Sequence, residues 1–265
     1  MRLLITMSDT GGGHRAVALA IQRALGRMYG DSVQVTISDI FALGHRTLFD
    51  ASTRLYSPVI RHTPWLYGLV YHLSDRPIVY SAIAWLVELM DSAKVCRLLE
   101  EVRPDVVVST HPLGNRPLLR ARAALGWRKP IVAVVTELVR VHRSWVDPGL
   151  NLYLTATAEA EAAVLGLGAD PHRVLRLGLP VDERFGAVPI PARDLRQALG
   201  LKPDPFTVLL IGGGEGAGRL CRIVAEVARA RLNVQLLVVC GRNRALKVRL
   251  VSGAKWVGGQ SFLPV

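Results

Sequence analysis

A strand, a glycine cluster and a helix occur twice in this 265-residue chain, and that repeat limits its possible folds more than any other feature. The first copy reads "RLLITMSDTGGGHRAVALAIQRALGRMYG" from Arg2, the second "TVLLIGGGEGAGRLCRIVAEVARA" from Thr207. In each, a short unbroken apolar run predicts a strand buried on both faces. Apolar residues at helical spacing follow the glycines, and another strand ("SVQVTISDIF", "NVQLLVVCGRN") comes next. This is the βαβ unit of a parallel sheet. The alternation continues through "PDVVVSTHP", "KPIVAVVTELV", "LNLYLTATAEAEAAVLGLG" and "RVLRLGLPV". The expected fold class is α/β, with a Rossmann-like doubly wound N-terminal domain over residues 1–187. An incomplete second Rossmann-like domain is expected over 188–265, after a proline-rich linker near 186–204.

Composition narrows the function classes. The net charge is +12 and the pI near 10.3. The basic residues are nearly all Arg, spread among Leu, Ala and Val, with no aromatic-rich RNA-binding strand and no helix-turn-helix signal. A nucleic-acid partner is therefore disfavoured, and an anionic membrane surface suits the charge equally well. Cys96, Cys221 and Cys240 form no paired spacing and read as reduced thiols. No secretory signal or membrane-length apolar run is present. Residues 49–85 differ from the rest, gathering Phe49, Tyr56, Trp65, Tyr67, Tyr71, Tyr80 and Trp85 among Arg54, Arg61 and Arg76. Pro58, Pro64 and Pro77 prevent one continuous helix there. Aromatic rings mixed with Arg suit a membrane headgroup layer, so Trp65, Tyr67 and Tyr71 are candidate membrane contacts. The alternative is an irregular helical insertion packed over the sheet.

A glycine loop between strand and helix lets the backbone approach a ligand, and the helix start offers free N–H groups. Gly11, Gly13 and Ala16 come close to a dinucleotide fingerprint, with Asp39 as a ribose acceptor, so an NAD-dependent oxidoreductase is one reading. His14 argues for another. The positive helix end is expected to lower its pKa and favour the neutral ring, a usable general base. Asp9 is placed to orient the ring or cap the helix. The competing view is a histidine that only hydrogen-bonds locally.

Six ordered segments extend the comparison: "MSDTGGGHRAVALAIQRAL", "VVSTHPLGNRPLLR", "VVTELVRVHRSWVDPGLNLYL", "LGLPVDERF", "LLIGGGEGAGRL" and "VVCGRN". Together they resemble the family of monogalactosyldiacylglycerol synthases and processive diacylglycerol glucosyltransferases, relatives of MurG-type glycosyltransferases with the GT-B fold. The resemblance implies a lipid acceptor on the N-terminal domain and a UDP-sugar donor on the C-terminal one. It implies inverting transfer of a hexose to diacylglycerol, with His14 as base and no metal or cofactor. Gly11, Gly12, Gly13, His111, Glu137, His142 and Trp145 would line the acceptor side, the last two unless "VHRSWVDPG" is a packed loop with a capping histidine. Gly212, Gly213, Gly214, Glu215 and Gly216 match the loop against the donor diphosphate. Gly241, Arg242 and Asn243 match the strand end beside it. Two departures stand out. Glu137 replaces the family's usual Asp, moving the carboxylate out by a methylene. The closing "VSGAKWVGGQSFLPV" does not resemble the family's donor-binding continuation, so the chain reads as truncated and weak or inactive in transfer. A non-catalytic lipid-binding remnant is the remaining alternative. The expected location is cytoplasmic, on the inner face of the plasma membrane.

Overall fold

A computed structural model of the chain describes residues 1–9, 12–40, 42, 58–186, 190–230, 232–253 and 262–264. Gly11, Phe49 and Tyr56 lie outside the described residues. The chain forms two compact units, Met1–Tyr56 with Trp65–Phe185, and Ser57–Pro64 with Gly186–Val265.

The first unit begins with β1 (Arg2–Met7), α1 (Gly13–Tyr29) and β2 (Gln34–Asp39). Helices α2 (Pro64–Ser74) and α3 (Pro77–Val102) come next, each opening on a proline. Proline suits the first helical turn, where its missing N–H has no partner to lose. So the prolines of the aromatic region start helices as well as interrupting them. There follow β3 (Val106–Ser109), α4 (Asn115–Ala124), β4 (Ile131–Val134), β5 (Leu152–Thr155), α5 (Ala158–Gly166) and β6 (Val174–Arg176). The six strands are all parallel, in the order β2-β1-β3-β4-β5-β6.

Alternation along the strands divides the core in two. Leu4, Val107, Ile131 and Ala133 face one side, with Leu98 and Leu99 of α3 and Leu118 of α4. Leu3, Ile5, Val108 and Val134 face the other, with Val17 and Ala18 of α1. Helices on both faces explain why β1 reads as an unbroken apolar run. The strand order reverses between β1 and β3, which opens a crevice at their C-terminal ends where α/β sheets bind ligands.

The second unit contains α6 (Ala192–Ala198), β7 (Phe206–Ile211), α7 (Leu220–Arg229), β8 (Val234–Val239), α8 (Arg244–Gly253) and β9 (Phe262–Pro264). Its strands are parallel in the order β7-β8-β9. The third strand was not expected from the closing sequence. Leu220, Val224, Leu236, Val238, Leu246 and Leu250 form its core.

Candidate functional site

Three strand ends meet at the crevice of the first unit. The loop after β1 brings Gly12, Gly13 and His14. Thr110 and His111 follow β3, and Thr136 and Glu137 follow β4. Gly12 has a left-handed φ of 85°, and its carbonyl accepts the Ala16 N–H, so it turns the chain directly into α1. That places His14 in the first turn of the helix.

The His14 ring is held from below. Its Nδ1 lies 2.6 Å from the Thr110 carbonyl oxygen and 3.2 Å from Thr136 Oγ1. A carbonyl only accepts, so the proton sits on Nδ1. In the neutral ring the lone pair is then on Nε2, the arrangement a general base requires. The Thr110 hydroxyl donates to the carbonyls of Thr6 and His14, tying β1, β3 and α1 together at this point. Burial pushes the His14 pKa below its ordinary 6.5, partly offset by the Thr110 carbonyl. The direction matches the sequence expectation, but the main cause is burial rather than the helix end. The Asp9 carboxylate pairs with Arg15 of α1 at 3.5 Å.

His111 packs edge-on against His14 at 4.4 Å between ring centroids. Burial, then the neighbouring His14 charge, lower its pKa well below 6.5. Glu137 is part-buried, and desolvation raises its carboxyl pKa. The Trp145 indole N–H counteracts this without reaching hydrogen-bond geometry.

The acceptor-lining assignments of His142 and Trp145 need correction. Trp145 is 0% exposed and sits in the core, 6.5 Å from the His14 ring. His142 is buried and caps the short helical turn Arg143–Trp145, its Nδ1 accepting the Ser144 N–H. Its Nε2 faces Ser74 Oγ at 3.3 Å and Asp75 at 3.7 Å. The capping alternative is the one the fold adopts. It fastens the α2–α3 corner to the loop after β4, because Asp75 also accepts the Arg143 N–H.

Tyr71 is also reassigned. Its ring packs on His142 at 5.0 Å, and burial, followed by the charges of Glu137 and Asp75, raises its pKa to about 12. Tyr67, one helical turn earlier, responds to burial and to Glu137 in the same direction. Tyr67 and Tyr71 thus form one stripe of α2, with Tyr71 packed on His142 and Tyr67 still 40% exposed. Trp65, Leu69 and Leu73 form another stripe of the same helix and are exposed.

Burial lowers the pKa of His14, His111 and His142 alike. The unfolded chain therefore takes up protons below about pH 6.5 that the folded chain refuses, and stability falls as pH falls through that value. A melting temperature that drops between about pH 7 and pH 5 is the expected result of a pH series followed by circular dichroism.

In the second unit the loop Gly212–Gly218 is braced tightly. Arg242 N–H donates to the Gly214 carbonyl at 2.8 Å, and the Asn243 side chain to the Gly216 carbonyl at 3.1 Å. Glu215, expected to touch the donor, is instead buried at 4% exposure. Its carboxylate binds Arg242 through Nε at 2.8 Å and Nη2 at 2.6 Å. Arg61 reaches its other oxygen at 2.8 Å and its backbone carbonyl at 2.9 Å. Glu215 is thus an anchor that orients two guanidinium groups. Sequence reading missed Arg61, since nothing in its surroundings pointed 154 positions ahead. It also missed Thr110 and Thr136, for which strand-end position was the available signal.

Residues 14–181 match the family model for monogalactosyldiacylglycerol (MGDG) synthase. The chain belongs to this family. It is 32% identical over 260 residues to the chloroplastic monogalactosyldiacylglycerol synthase of Spinacia oleracea, covering 95% of this chain and 50% of that one. The chain thus spans about half the length of the curated relatives it matches. Among solved structures it is similar to UDP-GlcNAc 2-epimerase from Neisseria meningitidis bound to UDP-GlcNAc, with a TM-score of 0.58, 13% identity, and coverage of 100% of this chain and 72% of that one. Acinetobacter baumannii MurG gives a TM-score of 0.50 at 13% identity, covering 100% and 66%. The fold of this MGDG synthase family member is GT-B. The expected location on the inner face of the plasma membrane is overturned, because the spinach, soybean and Arabidopsis relatives are all named chloroplastic.

Proposed function

We propose that this member of the MGDG synthase family works as a UDP-sugar-dependent hexosyltransferase acting on diacylglycerol, with residues 1–187 taking the acceptor and 188–265 contributing to the donor site. The observation that carries the reading is the tautomer of His14. With Nδ1 engaged by Thr110, Nε2 is the proton acceptor at the strand-end crevice. In the reaction, Nε2 removes the proton from the diacylglycerol hydroxyl as its oxygen attacks the anomeric carbon. The new C–O bond forms on the face opposite the departing UDP, whose bond to that carbon breaks, so the configuration inverts. Backbone N–H groups of the glycine loop and the Arg242 guanidinium, held by Glu215, suit the charge that grows on the leaving diphosphate.

The acceptor comes from a membrane, and α2 and α3 have the surface for it. Trp65 is 70% exposed, Ile78 86% and Trp85 63%, with Leu69, Val70, Leu73 and Leu86 also exposed among them. No described helix is long and apolar enough to cross a membrane. A peripheral attachment, strengthened by the net positive charge, fits these facts. Replacing Trp65 and Trp85 together by alanine is expected to weaken sedimentation with vesicles containing anionic lipid by about tenfold or more. Unchanged sedimentation would reject this attachment face.

The activity itself is tested with the full-length protein, diacylglycerol in mixed micelles, and radiolabelled UDP-galactose or UDP-glucose. Galactolipid or glucolipid with equimolar UDP is the expected product. Failure to label lipid from either donor would sink the transferase reading.

A further inference from the structure

The two threonines beside His14 make different contacts, and the difference assigns a direction to a chain of hydrogen bonds. The Thr110 carbonyl, at 2.6 Å, fixes the proton on Nδ1. Thr136 Oγ1, at 3.2 Å from the same nitrogen, then has only one way to interact: its oxygen accepts a share of that N–H. Its own hydroxyl hydrogen is left to point elsewhere, and Glu137 Oε2 lies 3.5 Å away as its acceptor. The polarity runs from His14 through Thr136 to the Glu137 carboxylate.

We propose that Thr136 is a positioning residue for His14, sharing the Nδ1 proton and passing the pull of the Glu137 carboxylate to the ring. The inference rests on the reading of His14 as base. When Nε2 takes up the acceptor's proton, the ring becomes positive, and an oriented hydroxyl backed by a carboxylate stabilises it. The contacts that connect Glu137 to Nδ1 run through Thr136. The relay thus gives the Glu137 carboxylate a role beyond lining the acceptor side. Among the described residues, these contacts bring two titratable groups to the ring, His111 from the end of β3 and, through Thr136, Glu137 from the end of β4, with Tyr67 and Tyr71 of α2 facing Glu137.

The test is the titration of the His14 ring by NMR in the full chain, which needs no turnover. Thr136→Val keeps the shape and removes the hydroxyl. It is expected to lower the His14 pKa by about one unit, a tenfold change in proton affinity. Thr136→Ser should restore it. Glu137→Gln should lower it similarly, and adding Thr136→Val to Glu137→Gln should lower it little further, because both break one chain. In turnover, the plateau of kcat falls in Thr136→Val, while KM for the UDP-sugar holds and the acid limb moves to lower pH. An unchanged His14 titration in a folded Thr136→Val protein overturns the proposal, as does full additivity with Glu137→Gln. If the titrations shift as expected but His14→Ala still turns over, the base reading fails and the Thr136 link stands.

Discussion

Replacing His14 by alanine lowers kcat by about 10²–10⁴-fold in the full-length protein, the range a positioned general base supplies. KM for the UDP-sugar changes little, because His14 belongs to the strand ends of the first unit and not to the glycine loop of the second. The pH dependence carries the sign of the pKa shift. Burial holds the ring below 6.5, so the neutral, proton-accepting form persists into mildly acidic solution. The rate is therefore flat above neutrality and falls only as pH drops through the lowered value. A limb centred above 6.5 would mean that another group titrates. The check is a pH–rate profile of wild type beside single-turnover rates of His14→Ala and His14→Gln. Glutamine keeps polarity and approximate size but cannot accept the proton, so it should be nearly as slow as alanine. Near-normal turnover in either variant removes His14 from the chemistry.

The parts of this site that could be read from sequence share one property: they act through local pattern. β1, its glycines and α1 form because a fully buried parallel strand must be apolar throughout, and a tight strand-to-helix turn needs glycine. His14 followed from its place after that turn, and His111 and Glu137 from ending strands. What escaped the reading depends on partners far apart in the chain. Thr110 orients His14 across 96 positions, and Arg61 grips Glu215 across 154. No spacing rule reaches so far. The errors have a related cause. His142, Trp145 and Tyr71 were assigned by residue type and neighbourhood, and an aromatic or histidine near a site can face it, support it or fill the core. Only packing decides, and it made Trp145 a core ring, His142 a cap and Tyr71 a ring packed on His142. Glu215 repeats the lesson with charge: a carboxylate in a glycine loop looked like a ligand contact, but burial beside two arginines makes it an anchor.

Gly216→Ala is expected to destabilise the second unit by about 2–5 kcal/mol, among the larger effects of a single methyl group. Two costs combine. Gly216 has a φ of 55°, which an L-residue with a Cβ adopts only under strain. A methyl group there would also lie 2.0 Å from the Cys240 carbonyl oxygen and 2.7 Å from Asn243 Cβ, both in the turn between β8 and α8. Neither neighbour can swing away like a flexible side chain. The Asn243 side chain caps the start of α8 through the Leu246 N–H while donating to the Gly216 carbonyl. Gly241 repeats the constraint from the other side, since a Cβ there would meet the Gly213 and Gly214 carbonyls at 2.5 Å. The two loops approach backbone to backbone, and relief of one clash requires moving both. Hydrogen exchange distinguishes the outcome. Protection should fall at the ends of β7 and β8 and at the Arg242 amide bonded to Gly214, while the amides of β1, β3 and β4 keep theirs. If the loop faces the donor diphosphate as proposed, UDP affinity should fall with it, because the loop loses its shape. Exchange in the second unit matching wild type would show that the loops do not meet as closely as these contacts require. Gly13→Ala is the control: it also lies in a glycine loop, but a Cβ there meets nothing within 4 Å and its φ is not left-handed, so the second unit should be untouched.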